Sequence, residues 1–219
     1  MPYDNKISQL LQSVEKMRAQ GSAAFEKAVE LLAETVKEGG LLHLVAGDMS
    51  SAGVFEPFTK PGCLCAFTPV TEPTLSTMHS ASRAYYLRSS AKVGEFLVSY
   101  YRNIQRGDCL ILADVCGSLA SEEIIQYAKE NGQTVVYISG TRKDAKADVQ
   151  IALPTAEESE LYATSSVALS FCVNALNLAT IDALCTQGQT PDVWESFAQC
   201  GCAHNEEMID KYRYRIKQM

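Results

Sequence analysis

Short apolar runs alternate with longer amphipathic segments along this chain, and the two patterns predict strands alternating with helices. A run of roughly 4–8 apolar residues between polar turns is typical of a strand buried on both faces of a parallel sheet. Five such runs predict strands at 41–46, 63–70, 109–114, 134–138 and 149–153. Strands that alternate with helices predict an α/β fold with a doubly wound sheet of five parallel strands.

Apolar residues at helical spacing predict the helices, and glycine or proline residues mark several of their ends. A long segment at about 158–185 is apolar nearly all round, so this helix should be buried on several sides. Other helices are predicted at 5–18, 22–38, about 84–103, 118–131 and after Pro191. The chain therefore reads as one domain, 1–219, with N-terminal helices in 1–38, an α/β core in 39–186 and a C-terminal helical extension in 187–219.

The segment Arg106–Gly140 contains a strand, a small polar turn, a helix and a second strand in succession. Ser118 and Ser121 stand where the helix should begin, just before Glu122 and Glu123, which suit a helix N-terminus. Anionic ligands bind at the carboxyl ends of parallel strands, because free backbone N–H groups and the helix dipole favour negative charge there. Serines at a helix start are also ordinary caps, and both interpretations stay open.

Charge and composition narrow the classes of function. The formal net charge of −7 disfavours nucleic acid as a partner. No apolar run approaches the roughly 18 residues of a membrane span, so no membrane partner is expected. The charged residues near the N-terminus are unlike a signal peptide, and a cytoplasmic location is expected. The absence of the P-loop and G-x-G-x-x-G patterns argues against a triphosphate site and a standard dinucleotide site.

The chain has eight cysteines, four of which form the C-x-C pairs Cys63-Leu64-Cys65 and Cys200-Gly201-Cys202. Four thiolates could bind zinc if the two pairs met in space. The pairs are far apart in the sequence, and neither has the usual C-x-x-C spacing. We therefore expect reduced cysteines, and we predict neither a metal ion nor another cofactor.

Four segments resemble the SIS (sugar isomerase) family of phosphosugar-binding proteins. Leu41–Ser50 resembles the first strand and G-x-G-x-S turn of that family, and Gly107–Gly117 resembles its second conserved strand and turn. Ala147–Val149 resembles the last strand of the family, and Gly188–Ile216 is similar to a little-characterised branch related to phosphoheptose isomerases. The resemblance implies a three-layer α/β/α fold of the SIS type.

The chain departs from the family pattern where a ligand would bind. Asp48 stands where the first turn of the family usually has glycine, whereas Ser50 matches. Asp114, Val115 and Cys116 stand where the second turn of the family has Ser, Asn and Ser. The two aspartates should repel a bound anion, at a cost of about 1 kcal/mol or more at short range. We therefore expect an altered or weakened phosphosugar site.

The resemblance also implies candidate site residues. Phosphoheptose isomerases use a Glu near the first turn and a His from the C-terminal region, and the counterparts here are Glu56 and His204. His43 lies inside a strand and is expected to be packed in the core, whereas His79 lies in a loop that could approach a ligand. The ligand-binding candidates are the small residues of the turns: Ser50, Ser51, Gly117, Ser118, Ser121, Ser139 and Thr141.

Two functions fit these observations. The first is binding of a phosphosugar with aldose–ketose isomerisation, which needs an acid and a base. The alternative is a non-catalytic phosphosugar sensor or regulatory binding module, which the departures in both turns favour. Whether the protein is an enzyme stays open. A homodimer or homotetramer is expected, because the helix at 22–38 and the long apolar helix expose more apolar surface than one sheet should cover.

Overall fold

The structure is a computed structural model that describes residues 8, 11–12, 14–16, 19, 22–47, 49–71, 80–90, 92–100, 104–115, 117–140, 146–153, 163–196 and 202–216. Its strands are β1 (Leu42–Ala46), β2 (Phe67–Val70), β3 (Cys109–Asp114), β4 (Thr134–Ser139) and β5 (Val149–Ala152). Its helices are α1 (Ser22–Lys37), a 3₁₀ helix (Met49–Phe55), α2 (Ala81–Arg88), α3 (Val93–Tyr100), α4 (Leu119–Glu130), α5 (Ala163–Thr186) and α6 (Ala203–Tyr212).

The five strands form one parallel sheet in the order β2-β1-β3-β4-β5, which confirms the predicted fold class. The chain passes from β1 outward to β2 and then returns to place β3 on the other side of β1. Connections therefore leave β1 and β3 in opposite directions, and a crevice opens at the carboxyl ends of these two strands. This crevice is where doubly wound sheets bind their ligands.

A hydrophobic core covers each face of the sheet. Leu42 and Leu44 of β1 belong to the core that includes residues of α1, α5 and the 3₁₀ helix, whereas Val45 belongs to the core that includes residues of α3 and α4. The alternation of β1 between the two cores follows from the period-two geometry of a strand. The result is the three-layer arrangement of helices, sheet and helices.

The helix α5 is long and apolar. Its residues Ser166–Thr186 have a mean hydropathy of 1.6, and by length and composition alone this helix could cross a membrane. In the fold this helix packs against α1 and the 3₁₀ helix, and 44% of an 18-residue apolar stretch within it is buried. The prediction of burial on several sides holds only in part, because Val167, Phe171 and Leu178 of this helix are exposed.

The strand predicted at 63–70 is shorter than expected, because its first three residues pair elsewhere. Cys63–Cys65 follows a turn at Gly62, and its backbone bonds to the C-terminal segment, whereas the Ala66 carbonyl accepts from the Leu42 amide of β1 at 3.0 Å. The amide of Cys65 donates to the carbonyl of Asp192 at 2.9 Å, and Leu64 forms an antiparallel bridge with Val193. Only Phe67–Val70 joins the sheet.

The helix predicted at about 84–103 is two helices, α2 and α3. The hydroxyl of Ser90 donates to the carbonyl of Tyr86 at 2.7 Å, a bond that competes with continuation of the helix. Lys92 then adopts a left-handed conformation with φ of 71°, which ends the α-helical geometry between the two helices. Residues 101–103 lie outside the described part of the chain.

Candidate functional site

The crevice between β1 and β3 brings together two of the polar turns predicted from the sequence. Gly47 follows β1, and its amide donates to the carbonyl of Ala113 in β3 at 2.7 Å. Asp114 ends β3 and lies in register with Ser139, the last residue of β4. The turns after β1, β3 and β4 therefore meet at one edge of the sheet, as expected for a parallel arrangement.

The carboxylate of Asp114 is the centre of the turn after β3. Its Oδ1 accepts a hydrogen bond from the Gly117 amide at 2.9 Å. Its Oδ2 accepts from the Ser118 amide at 2.7 Å, from the Ser118 hydroxyl at 2.8 Å and from the Ser121 hydroxyl at 2.5 Å. Asp114 is completely buried, so these donors replace the water that an ionised carboxylate would otherwise bind.

The local backbone explains why these donors converge. Gly117 has a φ of 70°, a left-handed conformation that glycine adopts without steric cost, and it turns the chain back towards β3. Ser118 then caps α4, because its Oγ accepts from the Ser121 amide at 3.2 Å. Consecutive amides at a helix start form a concave donor surface that favours an anion. In this protein the anion at that surface is the side chain of Asp114.

Gly47 closes the turn from the side of β1. A Cβ atom added at Gly47 would lie 2.6 Å from Ser121 Oγ and 2.9 Å from Asp114 Cγ. Both distances are shorter than ordinary van der Waals contacts, so any side chain at position 47 would collide with the hydrogen-bonded group. The carboxylate of Asp114 is therefore enclosed by its own turn on one side and by the backbone of the first turn on the other.

The structure places several predicted ligand residues around Asp114. Gly117, Ser118 and Ser121 surround its carboxylate and are hydrogen-bonded to it. Ser139 is buried at the end of β4, one strand away. Ser50 and Ser51 lie in the 3₁₀ helix after β1, but their side chains lie outside the described part of the structure, as do the residues Asp48, His79, Cys116 and Thr141.

The first predicted catalytic residue, Glu56, is bound to a lysine. Lys60 Nζ donates to Glu56 Oε1 at 2.8 Å and to Asn174 Oδ1 of α5, also at 2.8 Å. The hydrogen bond from Lys60 lowers the pKa of Glu56 below its usual value; partial burial opposes this shift, while hydrogen bonds to Asn174 and Ser170 add to it. A carboxylate with a lowered pKa is a weaker proton acceptor, so this pairing does not suit a general base.

The second predicted catalytic residue, His204, lies at the opposite edge of the sheet from Asp114. Its Nε2 is 2.8 Å from the carbonyl oxygen of Val193, and Val193 is bridged to Leu64 just before β2 begins. Residues that precede the strands lie at their amino ends, whereas Asp114 lies at a carboxyl end. Within one chain, the fold does not bring His204 to the turns that carry the predicted ligand residues.

The sequence interpretation missed a second buried carboxylate, at the amino edge of the sheet. Asp108 accepts hydrogen bonds from the Leu41 amide at 2.9 Å, the Gln105 amide at 2.8 Å, His43 Nε2 at 2.9 Å and Arg215 Nη2 at 2.9 Å. Burial alone would raise the pKa of Asp108, but the hydrogen bonds from His43 and the two amides outweigh it and lower that pKa. The signal in the sequence is the Gly107-Asp108 pair that precedes β3.

His43 is completely buried, as the sequence predicts for a histidine inside a strand. Burial lowers its pKa below the usual value, although the hydrogen bond to Asp108 acts in the opposite direction. The imidazole is therefore neutral near pH 7, and its Nε2 carries the proton that is donated to Asp108. Asp108 is thus bonded to the buried His43 of β1 and to Arg215 of the C-terminal segment, and these bonds hold that segment against the sheet.

The thiols do not form a metal site in the described part of the chain. No group of three or more His, Cys, Asp or Glu residues there is arranged to hold a metal ion. Cys63 and Cys65 are buried, and burial raises the pKa of Cys65 to about 12. Cys202 donates instead to Glu195 Oε2 at 3.2 Å, and Cys200 lies outside the described residues.

Comparisons with known proteins agree with this architecture. The SIS domain family matches residues 3–140, which include β1 to β4 and the turns after β1 and β3. A UPF0309 protein of Shouchella clausii is 24% identical over 245 aligned positions, which cover 99% of this chain and 98% of that protein.

Two solved structures share the fold at low sequence identity. The phosphoheptose isomerase of Neisseria gonorrhoeae superposes with a TM-score of 0.61 at 14% identity, over 83% of this chain and 97% of that chain. The NanR protein of Vibrio vulnificus, complexed with ManNAc-6P, superposes with a TM-score of 0.56 at 10% identity, over 100% of this chain and 70% of that chain.

Proposed function

Because the chain belongs to the SIS domain family, we propose that it binds a sugar derivative at the carboxyl edge of its sheet without isomerising it. Phosphosugars are the reference ligands for this proposal, since the similar NanR structure holds ManNAc-6P. The family match spans the turns that meet in the crevice between β1 and β3, where a sheet of this order binds ligands.

The observation that carries the non-catalytic part of the proposal is the state of the two candidate catalytic residues. Aldose–ketose isomerisation needs a positioned base and acid within reach of the same substrate. Glu56 is bound by Lys60, which lowers its pKa, and His204 is bound to the carbonyl of Val193 at the other edge of the sheet. Both side chains have structural partners, and neither belongs to the hydrogen-bonded group around Asp114.

A second copy of the chain is part of the same proposal. Val167, Phe171 and Leu178 lie on one side of α5 and are 44%, 45% and 60% exposed. Large apolar side chains that share one exposed side of a helix are usually covered by a partner. We keep the homodimer or homotetramer expected from the sequence as a proposal, with this side of α5 as the surface that pairs.

Titration calorimetry on the full chain tests the proposal with matched pairs of hexose, N-acetylhexosamine and heptose, each free and phosphorylated. We expect at least one sugar to bind, and NMR of the same mixtures to show no aldose–ketose interconversion. Interconversion that Glu56→Gln abolishes would establish an isomerase instead. If no sugar in the panel binds, the proposed function is wrong.

A pair of tryptophan substitutions tests the place of binding. Leu119 is 43% exposed at the start of α4, directly after the turn that contains Asp114, whereas Gln105 is exposed at the amino edge of the sheet. Leu119→Trp should weaken sugar binding by about tenfold or more by filling the crevice, and Gln105→Trp should leave it unchanged. The reverse result would move the binding site to the amino edge.

A further inference from the structure

We propose that Asp114 is a specificity-determining residue that takes the place of a ligand's phosphate in the turn after β3. The sugar derivative bound by this protein is then one without a phosphate in that turn, in effect an unphosphorylated sugar. This inference rests on the proposed sugar-binding function and names the class of ligand for the same site. It follows from three features of the turn: its donors, its space and its charge.

The donors of the turn are already engaged. Two backbone amides and two hydroxyls, from Gly117, Ser118 and Ser121, point at the carboxylate of Asp114 at distances between 2.5 and 2.9 Å. These are the groups that a helix start offers to an external anion. A carboxylate has about four lone-pair positions, so one Asp side chain can engage this whole set of donors. A phosphate in the turn would have to take the same donors from Asp114.

The gap between Gly47 and the carboxylate of Asp114 has no space for a second anion. Asp114 is completely buried, and Gly47 packs so closely over it that even a single methyl group at position 47 would collide with the carboxylate and with Ser121. A phosphate is larger than a methyl group. Phosphate binding in this turn therefore requires that the carboxylate leave the position in which the structure holds it.

The charge of Asp114 acts in the same direction as the lack of space. A buried carboxylate repels a nearby phosphate more strongly than an exposed one, because little water lies between the charges. The donors of the turn are neutral, so they satisfy the lone pairs of the carboxylate without cancelling its charge. An uncharged ligand, such as an unphosphorylated sugar that offers hydroxyl groups, avoids this repulsion.

The first experiment uses inorganic phosphate, because this probe does not require that the sugar be known. We expect millimolar phosphate to leave the melting temperature of the wild-type chain unchanged relative to chloride at equal ionic strength. Asp114→Ser, which removes the carboxylate and adds a hydroxyl, should be stabilised by phosphate. Asp148→Ser is the matched control, since Asp148 also accepts from a backbone amide, that of Val135 at 2.8 Å, but lies outside this turn.

The second experiment uses titration calorimetry with ManNAc-6P and its unphosphorylated counterpart. Wild type should bind the free sugar at least as tightly as the phosphosugar, and Asp114→Ser should shift the preference towards the phosphosugar by about tenfold or more, the effect of a hydrogen bond to a charged group. If Asp114→Ser does not fold, Asp114→Asn keeps the shape of the side chain, removes its charge and should shift the preference in the same direction.

The outcomes separate this inference from the proposed function. Wild-type protein that binds a phosphosugar tenfold more tightly than the free sugar would overturn the role of Asp114 and leave sugar binding intact. Phosphate that stabilises wild type and Asp114→Ser equally would also overturn it. If no sugar binds but phosphate stabilises only Asp114→Ser, the proposed function fails while Asp114 is still established as the anion of its turn.

Discussion

Replacing Asp108 with asparagine should destabilise the protein by about 3 kcal/mol, the lower end of the cost of breaking a buried ion pair. Asparagine keeps the shape of the side chain but turns one acceptor oxygen into a donor. Oδ1 accepts from the Leu41 amide, Oδ2 accepts from His43 and the Gln105 amide, and Arg215 donates to both oxygens. Whichever oxygen is replaced, at least two of these donors then face a donor.

The expected loss lies at the lower end because Arg215 can recover some hydration. Its side chain is 29% exposed, whereas that of Asp108 is only 2% exposed. After the substitution the guanidinium can turn towards water. The donors that then lack an acceptor are His43 and the Gln105 amide if Oδ2 is replaced, and the Leu41 amide if Oδ1 is replaced. An unsatisfied buried donor costs about 1–3 kcal/mol, so one or two such donors account for the expected total.

Urea unfolding at pH 7 measures the change in the free energy of unfolding. The matched control is Asp210→Asn, which removes a carboxylate from an exposed i,i+3 pair with Arg213 and should cost about 0.5 kcal/mol or less. Combining Asp108→Asn with Arg215→Met should cost less than the sum of the two single changes, because each change removes the same contact. A loss below about 1 kcal/mol for Asp108→Asn would refute the role assigned to this carboxylate.

Two further predictions concern protonation and thiol reactivity. Because burial lowers the pKa of His43, the unfolded chain gains a proton as the pH falls below about 6.5 while the folded chain does not, so the free energy of unfolding should decrease there by up to about 1.4 kcal/mol per pH unit. Urea unfolding at a series of pH values checks this, and a His43→Gln variant with an equally steep decrease would contradict it. Burial raises the pKa of Cys109 and Cys172 to about 12, so iodoacetamide should modify the exposed Cys185 of the native protein long before these two, as read by peptide mass spectrometry. Equal rates of modification would show that the buried thiols are accessible.

The sheet could be predicted from the sequence because its strands are local patterns. The runs at 109–114 and 134–138 are apolar and β-branched, and the structure has strands at Cys109–Asp114 and Thr134–Ser139. The run at 63–70 shows the limit of this reasoning. Its first residues are apolar and buried like a strand, but they pair with Asp192 and Val193, more than a hundred positions later, and no local pattern indicates such a partner.

The site could be predicted only in its position along the chain. The sequence correctly indicates that Asp114 places negative charge in the turn after β3. It does not show that the turn folds around that charge, because this depends on the backbone of Gly117 and on the rotamers of Ser118 and Ser121. The sequence also does not show that His204 lies away from this turn, because the position of His204 depends on how the C-terminal segment packs against the rest of the fold.

The link between Asp108 and Arg215 also bears on the order in which the fold assembles. The two residues are 107 positions apart, and contacts between distant residues form late because closing a long loop costs chain entropy first. The Gln105 amide, by contrast, is only three positions from Asp108 and can bind it early. During synthesis, β1 to β5 emerge before Arg215, so the sheet can form while the carboxylate of Asp108 still lacks its cation. We therefore expect docking of the C-terminal segment to be a late step that completes the amino edge of a sheet already in place.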